Sequence, residues 1–142
     1  MNDTFNLQRF IAKQESTYET VLKELQSGKK QTCWMWYIFP QIRGLGHSAT
    51  ARQFAINSKE EAIAYLGHLV LGERLRLCTQ LVINIDSREA IEIFSYPDNL
   101  KFRSSMTLFN HIDENSWIFE RALLKYYEGK PDELTLKILN EL

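Results

Sequence analysis

Carboxylates are missing from one long stretch of this chain. No acidic residue stands between Glu24 and Glu60, although 18 occur among the 142 residues. Other absences narrow the field. A strong basic excess is lacking: the formal charge is −1, which argues against duplex DNA as a partner because phosphate neutralisation supplies most of that affinity. Long apolar runs are lacking too. The longest uninterrupted one, Trp34 to Phe39, is far too short to span a bilayer, so no membrane partner is expected. The two cysteines, Cys33 and Cys78, form no C-x-x-C pair and have no histidine cluster beside them, so no metal and no cofactor is expected. The first residues do not read as a signal peptide, and the expected location is the cytoplasm. Linkers, repeats and low-complexity segments are absent, so residues 1–142 are read as a single helical domain.

What is present is helical periodicity. Leu7, Phe10 and Ile11 begin a first short helix. Ser16 with Glu19 reads as a capping box for a second, closed by Gly28. Ser58 with Glu61 reads as another, running to Gly67. Leu71, Leu75, Cys78, Val82 and Ile85 recur at steps of four and three, with Arg76, Gln80 and Asn84 opposite. This predicts a central helix near residues 69–85. Asp86 or Ser87 is expected to cap a short helix that ends before Tyr96-Pro97. Asp98 starts the next, Asp113 and Glu114 the one after, and Pro131 the last. Strand signals are confined to residues 34–39, where periodicity cannot separate a strand from a buried helical turn. The class is all-α: a compact bundle of about six to eight short helices.

The acid-free stretch keeps Lys29, Lys30, Arg43, Arg52 and Lys59 together with Trp34, Trp36, Tyr37, Phe39 and Phe54. A second one, Asn99 to Ile112, carries Lys101, Arg103, Ser104, Ser105, Thr107 and His111. Acids are expelled where an anion must bind, and aromatic faces beside cations suit a planar group. Gly44-Leu45-Gly46-His47-Ser48 reads as a glycine turn opening a helix capped by Ser48. It matches neither a Walker loop nor a dinucleotide fingerprint. The favoured reading is a small anionic, nucleotide-like ligand. Trp34 or Trp36 would stack it, Arg43, Arg52 and Lys101 would neutralise it, and Gln41, Ser104 and Ser105 would orient it. One alternative is a protein-interaction module or homo-oligomer that uses residues 34–40 as an exposed aromatic patch. Another is single-stranded nucleic-acid binding through Lys29-Lys30 and the nearby rings. No residue pair specifies a reaction: His47, His68 and His111 are tied by spacing to no carboxylate or cysteine, so catalytic residues and oligomeric state stay open.

Four motifs, Trp34-Met-Trp-Tyr-Ile-Phe-Pro-Gln41, Gly44-Leu-Gly46, Leu71-Gly72-x-Arg74-Leu75 and Asp98-x-x-Lys101-x-Arg-Ser-Ser-Met-Thr-Leu-Phe109, closely resemble the uncharacterised bacterial family catalogued as domain of unknown function 1810. The resemblance covers nearly the whole chain. It implies a compact all-helical domain and no established activity. The family pattern is His-Pro-x-Leu-Gly where this chain has His68-Leu69-Val70-Leu71-Gly72, so the start of the central helix is expected to be looser here. Relatives are sometimes labelled calpastatin-like. An extended inhibitor would be poor in aromatics, however, and this chain is 12% aromatic with a clear amphipathic period, as a folding chain needs.

Overall fold

Several helices in this protein start where a side chain takes up their loose backbone N–H groups. The computed structural model describes residues 3–113 and 117–142. Among these the helices are α1 (Gln8–Ser27), α2 (Met35–Ile38), α3 (Ala49–Gln53), α4 (Lys59–Gly67), α5 (Leu71–Ile83), α6 (Ala90–Phe94), α7 (Asp98–Ile112), α8 (Ile118–Tyr127) and α9 (Glu133–Glu141). The class is all-α. The count exceeds the expected range because α2, α3 and α6 are single turns. None of the described helices is long and apolar enough to cross a membrane.

The expected break at Ser16 does not occur. α1 runs straight through, and the Ser16 hydroxyl donates to the Lys13 carbonyl at 3.1 Å instead of capping a new helix. Gly28 does end α1, at φ +87, with the Lys29 N–H returning to the Glu24 carbonyl. Ser58 caps α4 by accepting the Glu61 N–H at 3.0 Å. The Glu61 side chain turns elsewhere and does not complete the box. The cap of α6 is Glu89, paired with Glu92, not Asp86 or Ser87, because Ser87 lies in the left-handed region. Asp132 caps α9, one residue after Pro131. Asp113 closes α7 and does not open α8; Glu114, the other half of that expectation, lies outside the described residues.

Every apolar position predicted for the central helix is buried: Leu71, Leu75, Cys78, Val82 and Ile85. α5 packs against α1, α2, α4 and α8, while α7 packs against α2, α4, α6, α8 and α9. The core is therefore shared between two long helices, which touch where the Thr79 hydroxyl meets Met106 Sδ at 3.9 Å. Burial pushes the Cys78 thiol up to about 12, so it is an inert core group, whereas Cys33 is exposed.

Residues 34–40 are core, which removes the exposed aromatic patch. Trp34, Met35, Tyr37, Ile38 and Phe39 are all buried. Phe39 meets Phe102 edge-on at 4.9 Å between centroids, and Phe102 stacks on Phe94 at 4.7 Å. Only Trp36 in this segment keeps partial exposure.

The start of α5 is held by His68. Its Nδ1 accepts the N–H groups of Val70 and Leu71 at 3.1 and 3.2 Å, so the ring proton sits on Nε2 and the histidine serves as an N-terminal cap. Leu69 is 83% exposed, and its N–H makes no hydrogen bond among the described residues. The preceding backbone, at φ −69 and ψ 133, is the conformation a following proline demands. Leu69→Pro is therefore expected to stabilise the protein by about 0.5 kcal/mol through the unfolded chain. Urea unfolding would detect it as a higher midpoint at unchanged slope; a lower midpoint would contradict the cap geometry.

Candidate functional site

Residues 42 and 56 close a loop on themselves. Ile42 and Ile56 form an isolated parallel bridge. Arg43 donates its N–H to the Ile56 carbonyl at 2.9 Å, and Ile56 donates its own to the Gln41 carbonyl at 2.8 Å. Between these ties the chain makes a compact loop whose single helical turn, α3, is capped by Ser48 accepting from the Ala51 N–H at 3.1 Å. Loops of this pinned kind often carry function on a rigid frame.

The frame is a buried ion pair. Arg9 on α1 donates through Nε to the Gln53 carbonyl, through Nη1 to Phe5 and Asn6, and through Nη2 to Ala55 and to Glu61 Oε2 at 2.6 Å. The pair is nearly closed to solvent, with 12% and 3% of its side chains exposed. Glu61 Oε1 also accepts the Asn57 N–H at 3.0 Å. The upstream end is held in a similar way. Glu24 accepts the N–H groups of Gln31 and Thr32, the Thr32 hydroxyl and Trp34 Nε1. Burial raises its pKa, but these hydrogen bonds together outweigh that and hold it below the ordinary carboxylate value. Glu24 at one border and Glu61, one residue past the other, thus turn inward and pin the stretch.

Under the loop lies a cleft of about 300 Å³ lined by Trp36, Gln41, Arg43, Gly44, Arg52 and Asn57, with Ile42, Gly46, Ala51, Phe54 and Ala55 completing its walls. No carboxylate lines it. Gly44 adopts φ +99 at the rim, a conformation that favours glycine. The Arg43 guanidinium has no hydrogen-bond or ion-pair partner among the described residues. Arg52 donates through Nε and Nη2 to the His47 carbonyl, which fastens the loop and leaves its remaining N–H groups available.

Of the eight residues expected at the site, the fold brings Trp36, Gln41, Arg43 and Arg52 to the cleft. Lys101 stands next to it, with Nζ 3.8 Å from the Trp36 ring centroid. The other three go elsewhere. Trp34 is 1% exposed and spends its N–H on Glu24, so it cannot stack a ligand. The Ser104 hydroxyl bonds the Leu100 carbonyl and Asp132 Oδ2, each at 3.1 Å, which anchors the start of α9. Ser105 is wholly buried and its hydroxyl has no hydrogen-bond partner among the described residues; helical spacing put it near Lys101, but the helix turns it into the core. The expected basic pair also divides: Lys29 is exposed, while Lys30 is partly buried and bonds Asp98 at 2.7 Å.

Sequence reasoning missed Arg9, Asn57 and Asp98. Arg9 sits in an ordinary amphipathic helix with no motif around it. Asn57 lies inside the acid-free stretch and was available to the same argument. Asp98 was read as a helix start, and its bridging of Lys30 and Lys101 is visible only in three dimensions.

The fold and cleft define an all-helical protein with a basic, carboxylate-free hollow beneath a pinned loop. The chain belongs to the family described as "Protein of unknown function (DUF1810)", whose model matches residues 4–139. It is similar to the conserved hypothetical protein Rv1873 from Mycobacterium tuberculosis, known from a crystal structure, at 46% identity and a TM-score of 0.96, over 97% of this chain and 99% of that one. No curated protein matches it.

Proposed function

We propose that the cleft binds a small planar anion, with the Trp36 indole as its platform and Arg43 as its main charge partner. The observation that carries this reading is the lining itself: two guanidinium groups, an indole and two carboxamides around about 300 Å³ without one carboxylate. That volume lies at the small end of ligand pockets and suits a single heterocycle bearing a phosphate or carboxylate. Gln41 and Asn57 supply the orienting hydrogen bonds, and Arg52 serves loop and ligand together. Binding, with no particular reaction attached, is the proposed role. The alternatives draw no support from the geometry, since Trp34, Tyr37 and Phe39 are packed inside and Lys30 is already paired.

A thermal-shift panel of nucleotides and of phosphorylated and carboxylated metabolites tests it. A ligand at a hundred times its Kd stabilises by about 2.7 kcal/mol, which for a chain of this length is several degrees. Arg43→Gln is expected to weaken binding about tenfold or more, since a charged hydrogen bond is lost. The free protein should keep its melting temperature because Arg43 holds nothing in the fold. No shift with any planar anion at millimolar concentration would reject the reading.

A further inference from the structure

Lys101 touches the indole that faces the cleft without lining the cleft itself. The ammonium and the hollow thus share Trp36 as a common neighbour. Behind the ring, Asp98 places Oδ1 3.2 Å from Lys101 Nζ and Oδ2 2.7 Å from Lys30 Nζ. The three side chains are between 9% and 21% exposed. Two lysines thus share one carboxylate, and the set keeps one positive charge at a partly buried place. The Lys30 ammonium also lies 5.3 Å from the centroid of the buried Trp34 ring.

A cation over one face of an aromatic ring draws the π density toward itself. The opposite face then attracts a second cation poorly and attracts an electron-rich or anionic ring well. The uncompensated charge lies 3.8 Å from the ring centroid at a site only partly open to water, so screening is reduced. Arg43 and Arg52 act on the ligand's charged tail at the rim; Lys101 acts on the ring that stacks.

Resting on the cleft-binding reading above, we infer that Lys101, through Trp36, sets the charge class of the stacked group: the cleft takes a neutral electron-rich or anionic heterocycle and rejects a cationic aromatic of the same shape. Lys101 is in this sense a positioning and specificity residue, one that need not touch the ligand.

The test separates ring charge from tail charge. Guanosine monophosphate and its N7-methylated form carry the same phosphate and nearly the same shape, but in mildly acidic buffer, where N1 keeps its proton, the methylated base is cationic. Calorimetric titration of the wild-type protein is expected to favour the unmethylated form. Lys101→Met is expected to reduce that preference by about fivefold, within the range a partly desolvated cation–π contact supplies, and Lys101→Arg is expected to retain it. Arg43→Gln should weaken both forms alike and leave their ratio unchanged, which distinguishes a rim effect from a ring effect. A folded Lys101→Met protein that keeps the wild-type ratio overturns the inference and leaves the binding reading intact. A wild-type preference for the methylated form overturns it as well. Should Lys101→Met not fold, Lys101→Gln gives the same comparison. If neither nucleotide binds the wild-type protein, the inference falls, and the thermal-shift panel then decides separately whether the cleft binds any planar anion.

Discussion

Gly72→Ala is expected to lower the unfolding free energy by about 3 kcal/mol, the upper part of the range for overpacking a closed site. Gly72 lies in the first turn of α5, where that helix leaves the end of α4. A Cβ built there would sit 2.0 Å from the Leu66 carbonyl oxygen and 2.9 Å from its carbon. Backbone cannot step aside as a flexible side chain can. The same carbonyl also accepts from Arg76 Nη1 at 3.3 Å, and the Gly72 N–H bonds the His68 carbonyl at 2.9 Å. Relieving the clash would thus mean separating α4 from α5, a contact that buries Leu66, Leu71 and Leu75. Urea unfolding followed by circular dichroism measures the loss. A loss below about 1 kcal/mol would mean that the two helices part more easily than this packing permits. Because Gly72 does not line the cleft, the fraction that remains folded should bind ligand normally.

The second large effect is expected at Arg9. Removing one partner of a buried ion pair leaves an uncompensated charge, which typically costs about 3 to 5 kcal/mol. Arg9→Met would leave the buried Glu61 carboxylate without its cation, held by Asn57 alone, and free the carbonyls of Gln53 and Ala55. Arg9→Lys should recover little, because an ammonium cannot reach five acceptors in the plane that the guanidinium fork spans. Adding Glu61→Leu to Arg9→Met should return part of the loss, giving a coupling of about 1 to 3 kcal/mol in a double-mutant cycle. Additive single losses would contradict the pair. In contrast to Gly72, this change should also weaken ligand binding in the folded protein, since the wall formed by residues 53–57 loses its ties to α1 and α4.

Much of the fold was legible because helical periodicity is a local signal. The stripe from Leu71 to Ile85 marks a helix whichever neighbours it meets, and Gly28 and Ser58 end or begin helices through chemistry contained within a few residues. Ser16 misled because a serine three residues before a glutamate is also compatible with an unbroken helix, where its hydroxyl returns to the carbonyl of the preceding turn. Spacing alone would put Leu134, Ile138 and Leu142 on the inner face of α9, but the face is one residue out of phase with that: Leu139 is buried while Leu134 is 51% exposed. Packing on α7 set that phase, through Asp132 held by Ser104 and Thr107.

The site was legible in part for a different reason. Loss of carboxylates is a compositional trace of a basic surface, and it marked Gln41, Arg43 and Arg52 without any knowledge of the fold. It could not separate the two tryptophans, which stand two residues apart and belong to opposite sides of one helical turn. Glu24 settles them, by taking the Trp34 N–H into the core at 2.9 Å and leaving Trp36 at the edge. Nor could composition reveal the tie between residues 42 and 56, which depends on backbone atoms present in every sequence.

Trp36 emission is the most direct reporter of the central claim, that a planar anion stacks on this indole inside the cleft. Trp117 is 74% exposed, so Trp117→Phe removes its background, and Trp34 stays sealed in the core. Titrating this protein with a purine monophosphate is expected to give a saturable quench that needs much higher ligand after Arg43→Gln. Emission that stays flat into the millimolar range, or a quench that Arg43→Gln leaves unchanged, would contradict it.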